Sequence, residues 1–352
     1  MRGDCDVKIL TGKVEKNGIR KGIKYYISHK PLLECKQDSD TTFINLSYIQ
    51  HLRSKLYVKQ IENISNAIGN EIVKLYDGEK PDVIHIQSIS DVAVFVTKWA
   101  KENAVKVILT EHILFVRHEI NRFARLRENL YNEVDHVMCV SNYLYRNLLT
   151  SGFHPKKISV IGNLVNDKYV STDIQCDKNG RVLFVANHYH DKGLDILLQV
   201  VERLKAVDNI VVDVIGLDNS SLYNPSTTMW DEIARRGIED KICLLGTMSH
   251  DDLLQIYSKY SLLLSTSRSE TFGLAVAESL MYGTPVVCTD SGGVRDFVNE
   301  RNGIIVGIND VDALVNAILS VLNNEVTFNN CSQKLCEQYG YIAFRERILG
   351  IY

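Results

Sequence analysis

The sequence is poor in proline and has no long apolar run. Proline accounts for 5 of the 352 residues, and the chain has neither a low-complexity tract nor an internal repeat. Collagen-like, disordered and solenoid architectures are therefore excluded. No apolar run reaches the roughly 20 residues that cross a bilayer, and the start of the chain lacks the apolar core and cleavage site of a signal peptide. We expect a folded cytoplasmic protein.

Close cysteine pairs are also lacking. The 8 cysteines are scattered, and Cys331 and Cys336 do not have the two-residue spacing of a zinc or redox motif. We expect reduced thiols, with Cys139, Cys243 and Cys288 packed in the core because each lies in an apolar run. The sequence predicts no metal site.

Length and charge divide the chain into two parts. A chain of 352 residues suits two domains of about 150 to 200 residues each. Residues 1–166 carry 24 Lys and Arg against 18 Asp and Glu, a net +6, whereas residues 167–352 carry 16 against 25, a net −9. A basic first half can concentrate a phospholipid surface or a phosphorylated acceptor, although ordinary solubility charge is an equal explanation. We expect no nucleic-acid partner.

Short β-branched runs alternate with amphipathic stretches along the chain, which is typical of repeated βαβ units. A first series of strands is predicted at residues 7–10, 23–27, 42–46, 82–86, 106–110, 136–140 and 158–162, and a second at 182–186, 209–216, 241–246, 262–266, 285–289 and 303–307. Helical spacing in the first half is present at 48–76, 90–103, 117–133 and 142–150.

The pattern predicts an α/β protein with two Rossmann-like, doubly wound domains. Hydrophobic periodicity stops near residues 162–181, where Gly, Asn and Asp accumulate and predict a linker. We place the N-terminal domain at residues 1–166 and the C-terminal domain at 167–337. The amphipathic segment 338–352 is expected to form a helix that crosses back onto the first domain.

The segment 262–293 carries the densest signal. It predicts a buried strand, a polar loop, a helix that opens at Phe272 and Gly273, a second strand and a Gly-Gly turn. Free N–H groups and the positive dipole end at the start of that helix suit a diphosphate. Glu270 lies in the loop at the carboxyl end of the strand, where doubly wound folds place ligands; a role in capping the helix is the alternative.

Glu278 is predicted to be a carboxylate on an apolar helix face. It shares a stripe with Leu274, Ala277 and Met281 at helical spacing. A carboxylate in that position needs a partner. A ribose diol would provide two hydroxyl donors, and a salt bridge or a solvated helix rim are the alternatives.

Two further segments place polar residues after strands. Lys192 precedes Gly193 at a predicted helix start and can neutralise a diphosphate, or it is an exposed loop lysine. His112 ends the strand that leads into Thr-Glu-His at residues 110–112, which favours a functional position more than the strand-internal His85 does. The basic stretch Arg117–Arg127 is either a solvated face or a contact with an anionic membrane.

These motifs together resemble the family 4 retaining glycosyltransferases, which have the GT-B fold, from about Pro81 onward. The resemblance is carried by SETFGLAVAES (269–279), with two glutamates separated by seven residues, by GTPVVCTDSGG (283–293), by Lys192–Gly193, by TEH (110–112), by VSNYL (140–144) and by VIGNLVND (160–167), all in family order. The GT-B fold implies two Rossmann-like domains that face a central cleft.

The resemblance also implies roles for individual residues. Glu278 would bind the nucleotide ribose, Glu270 the hydroxyls of the transferred sugar, and Lys192 the diphosphate. Backbone around Phe272, Gly273 and Leu274 would complete the diphosphate site. His112 would line the reaction centre.

The implied reaction transfers a sugar from a nucleoside diphosphate sugar to an acceptor hydroxyl, with retention at the anomeric carbon. The family's usual mechanism is front-face attack, without a protein nucleophile and without a metal or other cofactor, because the lysine and the helix dipole offset the charge of the leaving group. UDP-sugars are preferred over GDP-sugars by family frequency. A glycan or lipid-linked acceptor in cell-surface polysaccharide, lipopolysaccharide or glycolipid synthesis is expected, at the cytoplasmic membrane face.

Two departures from the family pattern leave an alternative open. Where relatives have an arginine five residues before the lysine, this chain has Asn187, and Arg268 is a candidate to compensate. The opening DVKILTGK resembles the family's second strand, so the first strand is expected to be missing, which would leave its neighbours unpaired. A nucleotide-sugar-binding protein without turnover is therefore the alternative. A nucleotide-sugar 2-epimerase fits less well, and a nicotinamide dehydrogenase is disfavoured because no GxGxxG follows a predicted first strand.

Overall fold

The chain divides into two compact units. The computed structural model describes residues 9–17, 33–38, 41–49, 54–115, 122–170, 180–186, 191–328 and 332–352. Unit 1 comprises the described residues up to Val140, with Leu144–Val160 and Ile351–Tyr352, and unit 2 comprises Ser141–Tyr143 and Ile161–Gly350. The domain bounds given above for the sequence, at residues 166 and 337, stay predictions.

The described strands of unit 1 form two sheets. The first has the order β1-β3-β2, with β1 (Ile9–Asn17) parallel and β2 (Leu33–Asp38) antiparallel to β3 (Thr41–Ile49). The second has four parallel strands in chain order: β4 (Val83–Gln87), β5 (Lys106–Glu111), β6 (His136–Cys139) and β7 (Ile158–Val160). Strand β2 was not predicted because its sequence, LECKQD, is polar and lacks β-branched residues. The predicted strand at 23–27 lies outside the described residues.

The helices of unit 1 occupy the predicted segments. They are α1 (Ser54–Leu75), α2 (Asp91–Glu102), α3 (Arg122–Glu133) and α4 (Asn142–Thr150), of which the first two residues of α4 belong to unit 2. Ser90 caps α2 by accepting a hydrogen bond from the N–H of Ala93. Helices α1 and α2 pack closely at Gly69, where a Cβ would lie 1.9 Å from Nε1 of Trp99.

Unit 2 is built on a six-stranded parallel sheet. Its strands are β8 (Arg181–Val185), β9 (Val211–Ile215), β12 (Ile242–Leu244), β13 (Leu262–Ser265), β14 (Val286–Thr289) and β15 (Gly303–Val306), in the spatial order β12-β9-β8-β13-β14-β15. All strands predicted in this half are confirmed. The chain winds outward from β8 in one direction, then returns to β13 and winds in the other. A doubly wound sheet of this order has its topological switch point between β8 and β13, where ligands bind.

Unit 2 also contains helices, several of which contribute buried apolar side chains to its core. They are α5 (Leu194–Arg203), α6 (Met229–Arg236), α7 (His250–Leu254), α8 (Leu274–Met281), α9 (Val311–Leu322), α10 (Ser332–Tyr339) and α11 (Tyr341–Leu349). The core includes Phe184, Leu198, Val214, Leu264, Val287 and Ile318. In the part of the chain that is described, no helix combines the length and the apolarity needed to cross a bilayer.

Two details of unit 2 differ from the expectations. A hairpin of β10 (Leu222–Asn224) and β11 (Thr227–Thr228) was not predicted, because strands this short show no alternation. The prediction that Cys243 packs in the core is wrong: its side chain is exposed, whereas Cys139 and Cys288 are buried. Cys243 lies on the edge strand β12 between Ile242 and Leu244, and successive side chains of a strand point to opposite faces.

Candidate donor-binding site

Two loops meet at the switch point of unit 2. One follows β8 and carries Lys192 and Gly193, and the other follows β13. The hydroxyl of Thr266 lies 2.9 Å from the carbonyl oxygen of Lys192 and 2.8 Å from that of Gly193, and the N–H of Arg268 donates to the carbonyl of Asp191 at 2.8 Å. These contacts follow from the parallel pairing of β8 with β13, which brings the carboxyl ends of the two strands together.

The same contact brings two predicted site residues together. The Lys192 ammonium donates to Oε1 of Glu270 at 2.5 Å, and the Ser267 hydroxyl donates to the same oxygen at 2.7 Å. Both side chains are largely buried, with 29% of Lys192 and 14% of Glu270 exposed. The backbone of Glu270 is fixed by a hydrogen bond from its N–H to the carbonyl of Ser291 at 2.8 Å. The lysine and the carboxylate therefore form one charged unit at the switch point.

Glycines start both helices at this site. Gly193 precedes α5 with φ +66°, and a Cβ on it would lie 2.0 Å from the carbonyl oxygen of Thr266. Gly273 precedes α8 with φ +96°, and no side chain caps α8. By contrast, α2, α6, α7 and α9 are capped by Ser90, Thr228, Ser249 and Asp310. The first N–H groups of α8 are thus left for a ligand to accept from.

The residues around Gly273 have different environments. Phe272 is 2% exposed and anchors the loop, with its ring centroid 5.1 Å from that of Phe297 and 5.4 Å from that of Tyr339. Leu274 is 44% exposed, so its placement in a buried stripe with Ala277 was wrong. It is the first residue of α8, where the helix surface is still open, whereas Ala277 lies a turn further in.

Glu278 is a buried carboxylate with protein partners. It is 6% exposed; Oε1 lies 2.7 Å from Nε2 of His250, and Oε2 accepts a hydrogen bond of 2.9 Å from the hydroxyl of Tyr257. Burial, followed by the charge of Glu278, raises the pKa of Tyr257 well above its ordinary value. The histidine remains exposed over about half of its side chain. The contact of Glu278 with a ribose stays a prediction.

Three residues that contact the predicted site residues were not found from the sequence: His250 and Tyr257, which contact Glu278, and Ser291, which contacts Glu270. Ser291 is 2% exposed, and its hydroxyl has no hydrogen-bond partner among the residues that the structure describes. It lies beside Gly292, which forms a parallel bridge with Glu270. The sequence signal at this turn is the Gly-Gly pair, and a single serine before it carries no pattern of its own.

Arg268, the candidate to compensate for Asn187, is paired with a carboxylate of the protein. The guanidinium of Arg268 forms two hydrogen bonds with the carboxylate of Asp195, at 2.9 and 2.6 Å. This pair fixes the β13 loop to the start of α5. Whether Arg268 also contacts a diphosphate stays a prediction, and Asn187 lies outside the described residues.

In unit 1, Thr110, Glu111 and His112 follow one another at the end of β5. Glu111 is 2% exposed. Its Oε1 accepts from the N–H groups of His112 at 2.8 Å and Ile113 at 2.9 Å, while its Oε2 accepts from the N–H of Ile89 at 3.3 Å and from the hydroxyl of Tyr131 at 2.9 Å. Glu111 therefore organises the turn that presents His112, a role that the sequence did not reveal.

The buried Glu111 changes the titration of its neighbours. Burial first, and the charge of Glu111 second, raise the pKa of Tyr131 above its ordinary value and that of Cys139 to about 12. Both groups are therefore neutral at physiological pH. The hydroxyl of Tyr131 remains a hydrogen-bond donor to the carboxylate.

His112 and His85 are connected through Gln87. Nε2 of His112 lies 2.9 Å from Oε1 of Gln87, and Nε2 of Gln87 lies 3.1 Å from Nε2 of His85. Burial lowers the pKa of His112, and burial together with the charge of His112 lowers that of His85 to about 4. Both imidazoles are therefore neutral at physiological pH. Of the basic stretch Arg117–Arg127, Arg125 is exposed on α3, and Arg117 lies outside the described residues.

A doubly wound sheet with a cation, a carboxylate and uncapped helix N-termini at its switch point is typical of α/β proteins that bind phosphate-containing ligands. The family model "Glycosyl transferases group 1" matches residues 173–344, and "Glycosyltransferase Family 4" matches residues 40–169. The chain belongs to this group of glycosyltransferases.

Similar proteins agree with this assignment. The chain is 24% identical over 262 residues to the phosphatidylinositol N-acetylglucosaminyltransferase gpi3 subunit of Schizosaccharomyces pombe, a match over 72% of this chain and 56% of that protein. The chain thus spans a little over half of that relative's length. The solved structure of Anabaena Alr3699/HepE in complex with UDP has a TM-score of 0.70, 15% identity and coverage of 98% and 99%.

A second solved structure, the lipopolysaccharide outer core galactosyltransferase WaaB, has a TM-score of 0.65, 17% identity and coverage of 98% of both chains. These likenesses establish the fold as GT-B, with two Rossmann-like α/β domains.

Proposed function

We propose that this glycosyltransferase moves a sugar from a nucleoside diphosphate donor to an acceptor hydroxyl, with retention of the anomeric configuration and without a metal. The observation that carries the proposal is the Lys192–Glu270 pair, which lies at the switch point, with Glu270 in the loop that leads directly into the uncapped start of α8. A cation and free N–H groups suit the diphosphate, and a carboxylate beside them suits sugar hydroxyls.

Each charged residue has a distinct role in this reaction. Lys192 and the first N–H groups of α8 offset the negative charge that grows on the leaving diphosphate. Glu270 is held by Lys192 and Ser267 and accepts hydrogen bonds from the transferred sugar, which it positions without attacking. The buried hydroxyl of Ser291 is orphaned at a cost of about 1 to 3 kcal/mol, and a donor hydroxyl or phosphate oxygen at this position relieves that cost.

Glu278 and His112 complete the proposal. The carboxylate of Glu278 accepts hydrogen bonds from the ribose hydroxyls. To reach it, a ribose hydroxyl replaces the exposed His250 at Oε1 or shares that oxygen with it. His112, at the end of β5, lines the reaction centre. UDP is the preferred nucleotide, because the similar structure of Anabaena Alr3699/HepE is a complex with UDP.

The acceptor is proposed to be a glycan or a lipid-linked intermediate. Two observations support this class: the names of the similar yeast subunit and of WaaB refer to a phosphatidylinositol and to lipopolysaccharide, and the first 166 residues carry a net +6 charge. Arg125, which is exposed, is a basic residue that would meet an anionic membrane at the cytoplasmic face.

A thermal-shift titration with UDP, GDP and their sugar conjugates tests the donor site, because a ligand that binds only the folded state raises the Tm. We expect one nucleotide to raise the Tm, and the shift to disappear in Lys192→Ala and Glu278→Gln. Matched controls are Lys98→Ala, from an ion pair in unit 1, and Glu232→Gln, a 5% exposed carboxylate paired with arginines.

The reaction itself is tested with the nucleotide that binds. Release of nucleoside diphosphate in the presence of EDTA, and NMR of the anomeric proton of the product, report turnover, metal dependence and stereochemistry. Binding without transfer or donor hydrolysis would instead identify a nucleotide-sugar-binding protein, and no shift with any nucleotide at millimolar concentration contradicts the proposal.

A further inference from the structure

Tyr352 is hydrogen-bonded to a histidine that lies 267 residues away in the sequence. Its hydroxyl is 2.7 Å from Nδ1 of His85, and the two rings make an edge contact with centroids 5.7 Å apart. The segment that carries the tyrosine is held by Lys106, whose ammonium donates to the carbonyl of Ile351 at 2.6 Å and to that of Tyr352 at 2.9 Å. All of these residues belong to unit 1.

The strand register places the next members of the network side by side. His85 and Gln87 are two residues apart on β4 and share one face of the sheet. Gln87 is paired in register with Thr110 on β5. The hydroxyl of Thr110 lies 2.6 Å from Nε2 of His85, and Gln87 connects His85 to His112.

The Gln87 amide determines which nitrogen of each histidine carries the proton in this series of hydrogen bonds. An amide nitrogen donates only, so Nε2 of His85 accepts; a neutral His85 therefore has its proton on Nδ1 and donates it to Tyr352. An amide oxygen accepts only, so Nε2 of His112 donates and its Nδ1 keeps a lone pair. If the Gln87 amide is rotated by 180°, the donor and the acceptor exchange roles in each of these hydrogen bonds. The Thr110 hydroxyl, 2.6 Å from the same Nε2 of His85, can donate or accept and therefore fits either orientation. The coupling between the two histidine tautomers runs through Gln87.

We propose that Tyr352 is a positioning residue that sets the tautomer of His112 through His85 and Gln87. The tyrosine hydroxyl is the acceptor for the Nδ1–H of His85, at the opposite end of this hydrogen-bond series from His112. Without it, the Nδ1–H of the half-buried His85 loses its acceptor, which favours the other His85 tautomer. In that tautomer the Nε2–H of His85 faces the Gln87 amide nitrogen, which is also a donor, so the exposed Gln87 side chain turns its oxygen toward His85 and its nitrogen toward His112. As a result, the proton of His112 moves from Nε2 to Nδ1.

The catalytic consequence rests on the proposed function, whereas the tautomer does not. In the wild type, the Nδ1 lone pair of His112 is available to a hydroxyl of the donor or acceptor. When Tyr352 is lost, this nitrogen becomes a donor and the interaction is mismatched. We expect kcat to fall roughly three- to tenfold, which is the effect of one lost hydrogen bond, with little change in the KM of the donor.

The test is imidazole nitrogen NMR of the full chain labelled with ¹⁵N-histidine, in the wild type, Tyr352→Phe and the control Tyr76→Phe. The phenylalanine keeps the ring contact with His85 and removes only the hydroxyl. We expect the wild type and the control to have His112 protonated at Nε2, and Tyr352→Phe to shift it toward Nδ1. A purely structural role would lower the Tm and leave the tautomer unchanged.

Gln87→Met provides a second variant that breaks the chain at its middle. In this background, adding Tyr352→Phe should have no further effect on the signals of His112, because the connection is already lost. Unchanged His112 signals in Tyr352→Phe overturn the proposal, whether or not those of His85 change. Donor binding in the thermal-shift titration, measured on the same samples, shows separately whether the proposed function holds.

Discussion

The Nζ of Lys192 and the Oε1 of Glu270 lie 2.5 Å apart although the residues are 78 positions apart in the sequence. Both residues follow neighbouring parallel strands, β8 and β13, so the winding of the sheet brings them together. The pair is enclosed by protein on most sides and is further fixed by Ser267. An ion pair in these surroundings is much more sensitive to the loss of one partner than a pair on the surface.

Lys192→Ala is expected to lower the free energy of unfolding by about 1 to 2 kcal/mol, because it leaves the mostly buried Glu270 without its cation. The double variant Lys192→Ala/Glu270→Gln should recover at least half of this loss, since it removes the uncompensated charge. Urea unfolding of the wild type, both single variants and the double variant gives the coupling. Simple additivity of the two single effects would show that the pair does not couple.

Gly193 is expected to tolerate no side chain. Gly193→Ala should cost more than about 3 kcal/mol, because its Cβ meets backbone and the residue also has a left-handed conformation. Gly246→Ala is the matched control: Gly246 has φ +73°, and no described atom lies within 4 Å of an added Cβ there. The control should lose about 1 kcal/mol from φ alone. If Gly193→Ala and Gly246→Ala lose the same free energy of unfolding in urea, the close approach to Thr266 does not contribute to the cost.

The fold could be predicted from the sequence where local patterns determine it. Apolar β-branched runs mark β8, β9, β12, β13, β14 and β15, and the rule for doubly wound sheets then places the loops of Lys192 and Glu270 at one edge. What could not be predicted are contacts without a local signal. His250 and Tyr257 reach Glu278 from 28 and 21 residues away, and no spacing rule connects a histidine at a helix start with a carboxylate on another helix.

The exposure of Leu274 and the burial of Glu111 show the same limit. Helical spacing assigns Leu274 to an apolar face, but spacing carries no information about where the surrounding protein ends. Glu111 looks like a polar residue at a strand end, yet it is 2% exposed because two loop N–H groups, a third from Ile89 and the hydroxyl of Tyr131 replace its water. These outcomes depend on tertiary packing.

Tyr257→Phe is expected to destabilise the protein by about 1 to 3 kcal/mol, because the buried Oε2 of Glu278 loses its donor and cannot recruit water freely. Urea unfolding measures this loss, with Tyr76→Phe as the control. If Tyr257→Phe is no more destabilising than Tyr76→Phe, the hydrogen bond to Glu278 contributes nothing to stability.

His250→Ala addresses the other oxygen of Glu278. Because His250 is exposed over 54% of its side chain, its removal should cost less than about 1 kcal/mol of stability. Under the proposed function, the ribose then meets no competitor at Oε1, so the affinity for the nucleotide should rise about two- to fivefold, the size of one exposed hydrogen bond. Calorimetric titration with the nucleotide that binds measures this change. A weaker affinity in His250→Ala would mean that His250 itself contacts the ligand.

His85 makes stability depend on pH in a defined window. Its pKa falls from an ordinary value of 6.5 to about 4 in the folded state, chiefly through burial. Between these values the unfolded chain binds a proton at His85 and the folded protein does not, so stability rises with pH there and is lost as the pH falls from 6.5 toward 4. Glutamine does not titrate, so this proton is absent in His85→Gln. Between about pH 7 and about pH 4.5, the variant should therefore lose about 1 to 3 kcal/mol less of its free energy of unfolding than the wild type.

The measurement is urea unfolding of the wild type and His85→Gln at both pH values, comparing the change with pH in each protein. Glutamine changes the hydrogen bonds to Tyr352 and Thr110, which shifts the stability at both pH values, whereas the proton at His85 affects only the difference between them. His112 and His136, whose pKa values burial also lowers, are present in both proteins, so their direct contributions largely cancel. An equal loss of stability on acidification in both proteins would show that folding does not lower the pKa of His85.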